Sequence, residues 1–60
     1  MYHVISYSEY LGRAEYPVLS TTLFQALTLA YRIVELRKKW LGIHKMEIIR
    51  YKQVVARFST

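Results

Sequence analysis

The chain has 60 residues, enough for one small domain with a thin core, and 53% of them are hydrophobic, which excludes a disordered chain. It contains no cysteine, which excludes disulfides, thiolate metal sites and cysteine nucleophiles. The formal net charge of +5 is uneven, because residues 1–31 carry a net of −1 and residues 32–60 a net of +6. The basic half predicts an acidic protein surface or nucleic acid as partner, unless the charge serves only solubility.

The N-terminal third is rich in residues that favour strands. Residues 2–7 predict the first strand, and both of its faces carry apolar groups, so the buried face stays open. Residues 8–15 include Gly12 and three charges and predict a turn or short loop. Residues 14–19 predict a short edge strand returning beside the first, because Pro17 lacks an amide donor. An extended lead-in to the next element is the alternative.

Residues 20–41 predict one long amphipathic helix. Ser20, Thr21 and Thr22 are the N-cap candidates, and Gly42 suits the left-handed residue that ends a helix. The polar stripe recurs at alternating spacings of three and four residues. Its members are Thr21, Gln25, Thr28, Arg32, Glu35 and Lys39. The opposite face, which we expect to pack on a sheet, consists of Leu23, Ala26, Leu27, Ala30, Val34 and Leu41.

The apolar arc of this helix is wider than one thin sheet can cover. Phe24 and Tyr31 flank it on one side. Leu29, Leu36 and Trp40 flank it on the other side. A domain of this size without disulfides is commonly stabilised by oligomerisation, so we expect the second flank to be a self-association surface in a homodimer. The alternative is that both flanks belong to the intramolecular core.

After a brief connection at residues 43–45, residues 46–58 predict a β-hairpin or one long strand that pairs with a twin across a dimer axis. A two-residue turn at Lys52 and Gln53 would pair Tyr51 with Val54, Ile49 with Ala56 and Glu47 with Phe58. One face then carries Ile49, Tyr51, Val54, Ala56 and Phe58. The other carries Met46, Ile48, Arg50, Val55 and Arg57. The resulting order, β(β)-α-ββ, predicts an α+β fold in which a small antiparallel sheet packs on the helix.

Catalytic, cofactor and metal patterns are absent from the sequence. Aspartate is missing, His3 and His44 are far apart, and two glycines cannot form a phosphate-binding loop. We therefore expect a protein that is not an enzyme and has no cofactor, metal or small-molecule substrate. No signal-peptide pattern opens the chain, and its longest uncharged run is too short and polar for a membrane span, which favours a cytoplasmic protein without a membrane partner.

Binding is the function class that remains. Four of the six tyrosines lie within the first 16 residues, and tyrosine is favoured at interfaces. We expect a homodimeric interaction, inhibitor or adaptor module that engages an acidic protein surface, a type of compact chain often encoded by phages or mobile elements. The alternative is a nucleic-acid-binding protein that uses the basic hairpin and helix end. The predicted basic contact residues are Arg37, Lys38, Arg50, Lys52 and Arg57.

Overall fold

The computed structural model describes residues 1–19 and 21–60. The chain forms β1 (Tyr2–Ser8), β2 (Gly12–Val18), α1 (Leu23–Leu41), β3 (Ile43–Arg50) and β4 (Gln53–Ser59). All strand pairs are antiparallel, and the spatial order is β2-β1-β3-β4. The predicted α+β fold, with two strands before one long helix and two after it, is therefore confirmed.

The first hairpin is closed by a compact turn at residues 9–11. The Ser8 hydroxyl accepts hydrogen bonds from the amides of Tyr10 at 3.2 Å and Leu11 at 3.1 Å, and it donates to the carbonyl of Leu41. Gly12, with φ of 73°, then starts β2 in the left-handed conformation common after three-residue hairpin loops. The predicted loop at residues 8–15 is therefore too long. The predicted edge strand is confirmed, with Pro17 in β2 at the sheet edge.

Capping residues define both ends of the helix. Thr22 is the N-cap, and its side chain accepts a hydrogen bond from the amide of Gln25 at 3.3 Å. The helix thus starts at Leu23 rather than at residue 20; the third predicted cap, Ser20, lies outside the described residues. Gly42 caps the C-terminus with φ of 63°, and its amide donates to the carbonyl of Lys38 at 2.8 Å, as predicted.

The second hairpin differs from the sequence-based prediction at both ends. Residues 43–45 are not a connection, because β3 begins directly after the helix cap and Ile43 is only 2% exposed. The turn consists of Tyr51 and Lys52, one residue earlier than predicted. The alternative of one long strand is excluded, since residues 46–58 form two paired strands.

The earlier turn changes the register of β3 and β4. Ile49 pairs with Val54, a bulge follows, and Ile48 then pairs with Ala56. All three predicted pairs, Tyr51 with Val54, Ile49 with Ala56 and Glu47 with Phe58, are therefore wrong. The bulge adds one residue to β4, so side-chain alternation restarts with Ala56 and Phe58 packed against the core. The observed register thereby buries both residues on the helix side.

The core lies between the helix and the two central strands. Its fully buried members on the sheet are Val4, Met46 and Ile48, and small side chains at Ala26 and Ala30 let the helix approach them closely. Ile33, which was not in the predicted buried face, is also buried. The other four residues of the predicted face, Leu23, Leu27, Val34 and Leu41, pack partly buried around this core. The buried arc of the helix is therefore rotated toward the side of Ile33.

Candidate functional site

A groove runs between the C-terminal half of the helix and the edge strand β2. Because the helix packs chiefly on β1 and β3, the side of the sheet toward β2 is left partly open. The cavity there has a volume of about 340 Å³. It is lined by Ser6 and Ser8 of β1, by Leu11, Ala14 and Tyr16 of the turn and β2, and by Arg37, Trp40 and Leu41 of the helix. Most of its lining is apolar or aromatic, which suits a hydrophobic side chain.

Large apolar side chains stand exposed beside this groove. Trp40 is 79% exposed, Leu36 is 65% exposed and Leu11 is 67% exposed. We refer to these three residues as the groove surface. Leu29, the remaining member of the predicted self-association set, packs against the core instead. Leu11 was not predicted as part of any site, although it lies within the turn or short loop that the sequence predicted at residues 8–15.

The other flank of the helix, Phe24 and Tyr31, is partly packed against the rest of the chain. The ring of Tyr31 stacks on that of Phe58 in β4, with centroids 4.6 Å apart and an interplanar angle of 17°. Phe24 on the same flank is 76% exposed. This flank therefore uses one of its two aromatic rings to cover the sheet, whereas the groove surface keeps Leu36 and Trp40 uncovered.

The predicted basic contact residues lie in three separate places. Arg37 and Lys38 are near the C-terminal end of the helix, whereas Arg50 and Lys52 are at the far end of β3. Arg57 pairs with Glu47 across β3 and β4. Since Glu47 and Arg50 are an odd number of residues apart in one strand, Arg57 and Arg50 lie on opposite faces of the sheet. The prediction that they share a face is wrong, because the bulge in β4 was not foreseen.

At the end of β3, the guanidinium of Arg50 contacts two tyrosine rings. The guanidinium carbon of Arg50 lies 5.0 Å from the ring centroid of Tyr2 and 4.9 Å from that of Tyr51. Its Nη1 donates to the Tyr2 hydroxyl at 3.0 Å, and its Nη2 donates to the Tyr51 hydroxyl at 3.4 Å. The hydrogen bonds to Tyr51 and then to Tyr2 hold the pKa of Arg50 above its ordinary value. Arg50 therefore orients Tyr51 and is not a freely extended surface cation.

The sheet face away from the helix carries paired charges. The Tyr7 hydroxyl donates to the buried Glu47 carboxylate at 2.6 Å, and the Lys45 ammonium lies 4.2 Å from the Tyr7 ring centroid. The bond to Glu47 is the main cause that raises the pKa of Tyr7 above its ordinary value of 10.0. Glu15 lies 3.4 Å from the His3 imidazole and 3.6 Å from the Arg13 guanidinium. Structural pairing thus accounts for the acidic groups of this face.

The described part of the chain offers no candidate metal site and no membrane-spanning helix. Residues 1–19 and 21–60 contain no group of three or more histidine or acidic side chains that could hold a metal ion. Over the same residues, no helix combines the length and the apolar character that crossing a bilayer requires. No protein-family model, curated protein or solved structure matches the chain.

Proposed function

We propose that the protein is a non-catalytic binding module that forms a homodimer through the groove surface and engages an acidic protein through the cations at the end of its helix. The observation that carries the proposal is the juxtaposition of Trp40, 79% exposed, with a groove of about 340 Å³. A tryptophan left in water beside an apolar groove favours association, because burying both removes apolar area from solvent.

A second copy of the chain is the occupant that fits this surface best. In a two-fold dimer the same patch faces itself, so it must present both a projection and a depression. The groove surface has both, since Trp40 and Leu36 project beside a groove that Tyr16 and Leu41 line. Each Trp40 can therefore occupy the groove of the other copy.

Area and charge are compatible with such a dimer. A standard interface buries about 800 Å² on each partner. The whole chain exposes 4396 Å², so a dimer of that kind would cover roughly a fifth of it. Arg37 lines the groove, and the amide of Glu9 bonds to the carbonyl of Gly42 at 3.0 Å, which places an acidic residue at the same end of the molecule. The patch thus offers charges of both signs to its copy.

The cations at the helix end support the second part of the proposal. Arg37, Lys38 and Lys39 are consecutive and exposed, and none of them forms part of the core. A cluster of three positive charges on the surface of a small protein raises its rate of encounter with acidic surfaces. Because this cluster borders the groove surface, a dimer would present the cations of both copies around the shared interface.

Dimerisation is tested by sedimentation equilibrium at tens of micromolar protein. The wild-type chain is expected to be a dimer, and Leu36→Glu and Trp40→Glu are each expected to be monomers, because a carboxylate would be buried without a partner. Phe24→Glu is the matched control: Phe24 is equally exposed on the same helix but on the opposite flank, so this variant should remain dimeric. A monomeric wild type, or dissociation by Phe24→Glu as well, would contradict the proposal.

The acidic partner is tested separately with a zero-length carbodiimide cross-linker in cells that make the protein. Cross-links from Lys38 or Lys39 to carboxylates of another protein are expected, and Lys38→Gln with Lys39→Gln should remove them. As a control, Lys52→Gln at the other end of the sheet should leave them unchanged. Cross-links that persist without Lys38 and Lys39, or that join only copies of this chain, would contradict this part of the proposal.

A further inference from the structure

A second cavity lies at the opposite end of the sheet from the groove surface. It has a volume of about 540 Å³ and opens on the sheet face away from the helix. The second hairpin contributes Ile49, Tyr51 and Lys52 to its lining, and β1 and β2 contribute His3, Arg13 and Glu15. The cavity therefore combines an exposed aromatic ring with two permanent cations and one carboxylate that Arg13 and His3 already engage.

The turn beside this cavity is built from residues that its backbone disfavours. Tyr51 and Lys52 have φ of 54° and 63°, the left-handed region that two-residue hairpin turns usually fill with Asn-Gly. Non-glycine residues there cost on the order of 1–3 kcal/mol each, and such strain concentrates at functional sites. Tyr51 and Lys52 therefore occupy turn positions at which each of them destabilises the folded state.

Tyr51 is also held in a fixed orientation at the surface. It is 79% exposed, and the guanidinium of Arg50 lies 4.9 Å from its ring centroid and donates a hydrogen bond to its hydroxyl. A ring that is ordered before binding loses little entropy when a planar group stacks on it. Lys52, the next residue, places a charge where a phosphate linked to such a planar group would lie.

We infer that the hairpin tip, residues 50–53, is a binding site for single-stranded nucleic acid, in which an unpaired base stacks on Tyr51 and the adjoining phosphates contact Lys52 and Arg13. A single exposed ring stacks only on a base that is free of its neighbours, so a duplex does not satisfy the site. The inference does not rest on the proposed dimer, because Tyr51 and Lys52 lie at the other end of the sheet and Arg13 does not line the groove.

The test is fluorescence anisotropy with labelled oligothymidylate and oligouridylate of about 12 nucleotides, a length within the range that small single-strand-binding folds cover. At about 50 mM salt the wild-type protein is expected to bind at micromolar concentration or better. Tyr51→Leu keeps the turn strain and the apolar character but removes the aromatic face, and it should weaken binding about 5-fold to 150-fold. Tyr51→Phe keeps the ring and should bind nearly as well as wild type.

Two further variants separate the contribution of base stacking from that of charge, and they test whether the effect is specific to the hairpin tip. Lys52→Gln should weaken binding and reduce the slope of log affinity against log salt by about 0.7, the value for one phosphate contact on a single strand. Tyr10→Leu is the matched control, since Tyr10 is also an exposed turn tyrosine but lies at the other end of the sheet, and it should not change affinity. Circular dichroism confirms that each variant is folded.

The inference is overturned if the wild-type protein does not bind either oligonucleotide at low salt. It is also overturned if Tyr51→Leu binds as tightly as Tyr51→Phe, because charge alone would then explain the affinity. Equal binding of a duplex of the same length, or of poly-glutamate, would assign the site to polyanions in general and contradict base stacking. The Tyr51, Lys52 and Tyr10 variants all keep Leu36 and Trp40, so they are compared in the same oligomeric state, which Trp40→Glu reports separately.

Discussion

Replacing Lys52 by glycine should make the protein more stable. Lys52 is exposed and has φ of 63°, where the Cβ of an L-residue is crowded by its own backbone at a cost of about 1–2 kcal/mol. Glycine removes that crowding, but it raises the entropy of the unfolded chain, which costs about 0.4–1 kcal/mol. Taken from the middle of each range, the net expected gain in the free energy of unfolding is about 0.8 kcal/mol.

The gain is measurable by thermal unfolding followed by circular dichroism. In a domain of this size it corresponds to a rise in Tm of roughly 3–6 °C. All variants must be compared at one protein concentration, because a dimer gains stability with concentration. Lys52→Ala is the control, since it removes the ammonium but keeps the Cβ, and its Tm should stay near that of wild type. A lower Tm for Lys52→Gly, or an equal rise for Lys52→Ala, would refute the reasoning.

Two further predictions concern the helix end and the open face of the sheet. Gly42→Ala should lower the urea midpoint by an amount equivalent to about 1–2 kcal/mol, because its φ is 63° and a Cβ would lie 3.0 Å from the Tyr10 ring. Gly12→Ala, with similar φ but open space, should lose less, and the reverse order would contradict this account. For Tyr7, the raised pKa means that the folded state holds the phenolic proton more tightly than the unfolded state, so this stabilisation is complete below pH 10 and is lost as pH rises through the folded pKa. The difference in stability between wild type and Tyr7→Phe should therefore shrink above pH 10, and a difference that does not change with pH would refute it.

The parts of the fold that the sequence predicted correctly are those with local signals. Three such signals define the helix: the period of its polar stripe, the threonine before it and Gly42 after it. Each of them lies within a few residues of the feature that it predicts. Pro17 likewise excludes a central strand, because its backbone nitrogen has no hydrogen to donate to a neighbouring strand. These features needed no knowledge of distant contacts, and the structure confirms them.

The register of the second hairpin needed distant contacts and was predicted wrongly. Tyr51 and Lys52 give no turn signal, since both are disfavoured at positive φ. The bulge in β4 is favoured because it lets Ala56 and Phe58 both pack on the helix side, where Phe58 meets Tyr31. Distant contacts also explain why the role of Arg50 was not foreseen. Arg50 was predicted as a contact cation, but it binds Tyr2, which is 48 residues away in the sequence, and Tyr51, the next residue.

The two proposed surfaces lie at opposite ends of the sheet, and this placement has a consequence for how they would act together. Ser8 and Ile43 pair beside the groove surface, whereas the other ends of β1 and β3 lead to the hairpin tip. A dimer formed through the groove surface therefore leaves both tips free, one in each copy. Two tips in one assembly raise the effective concentration of the second site once the first is occupied, provided that one strand reaches both. Self-association and single-strand binding would then reinforce each other without any direct contact between Trp40 and Tyr51.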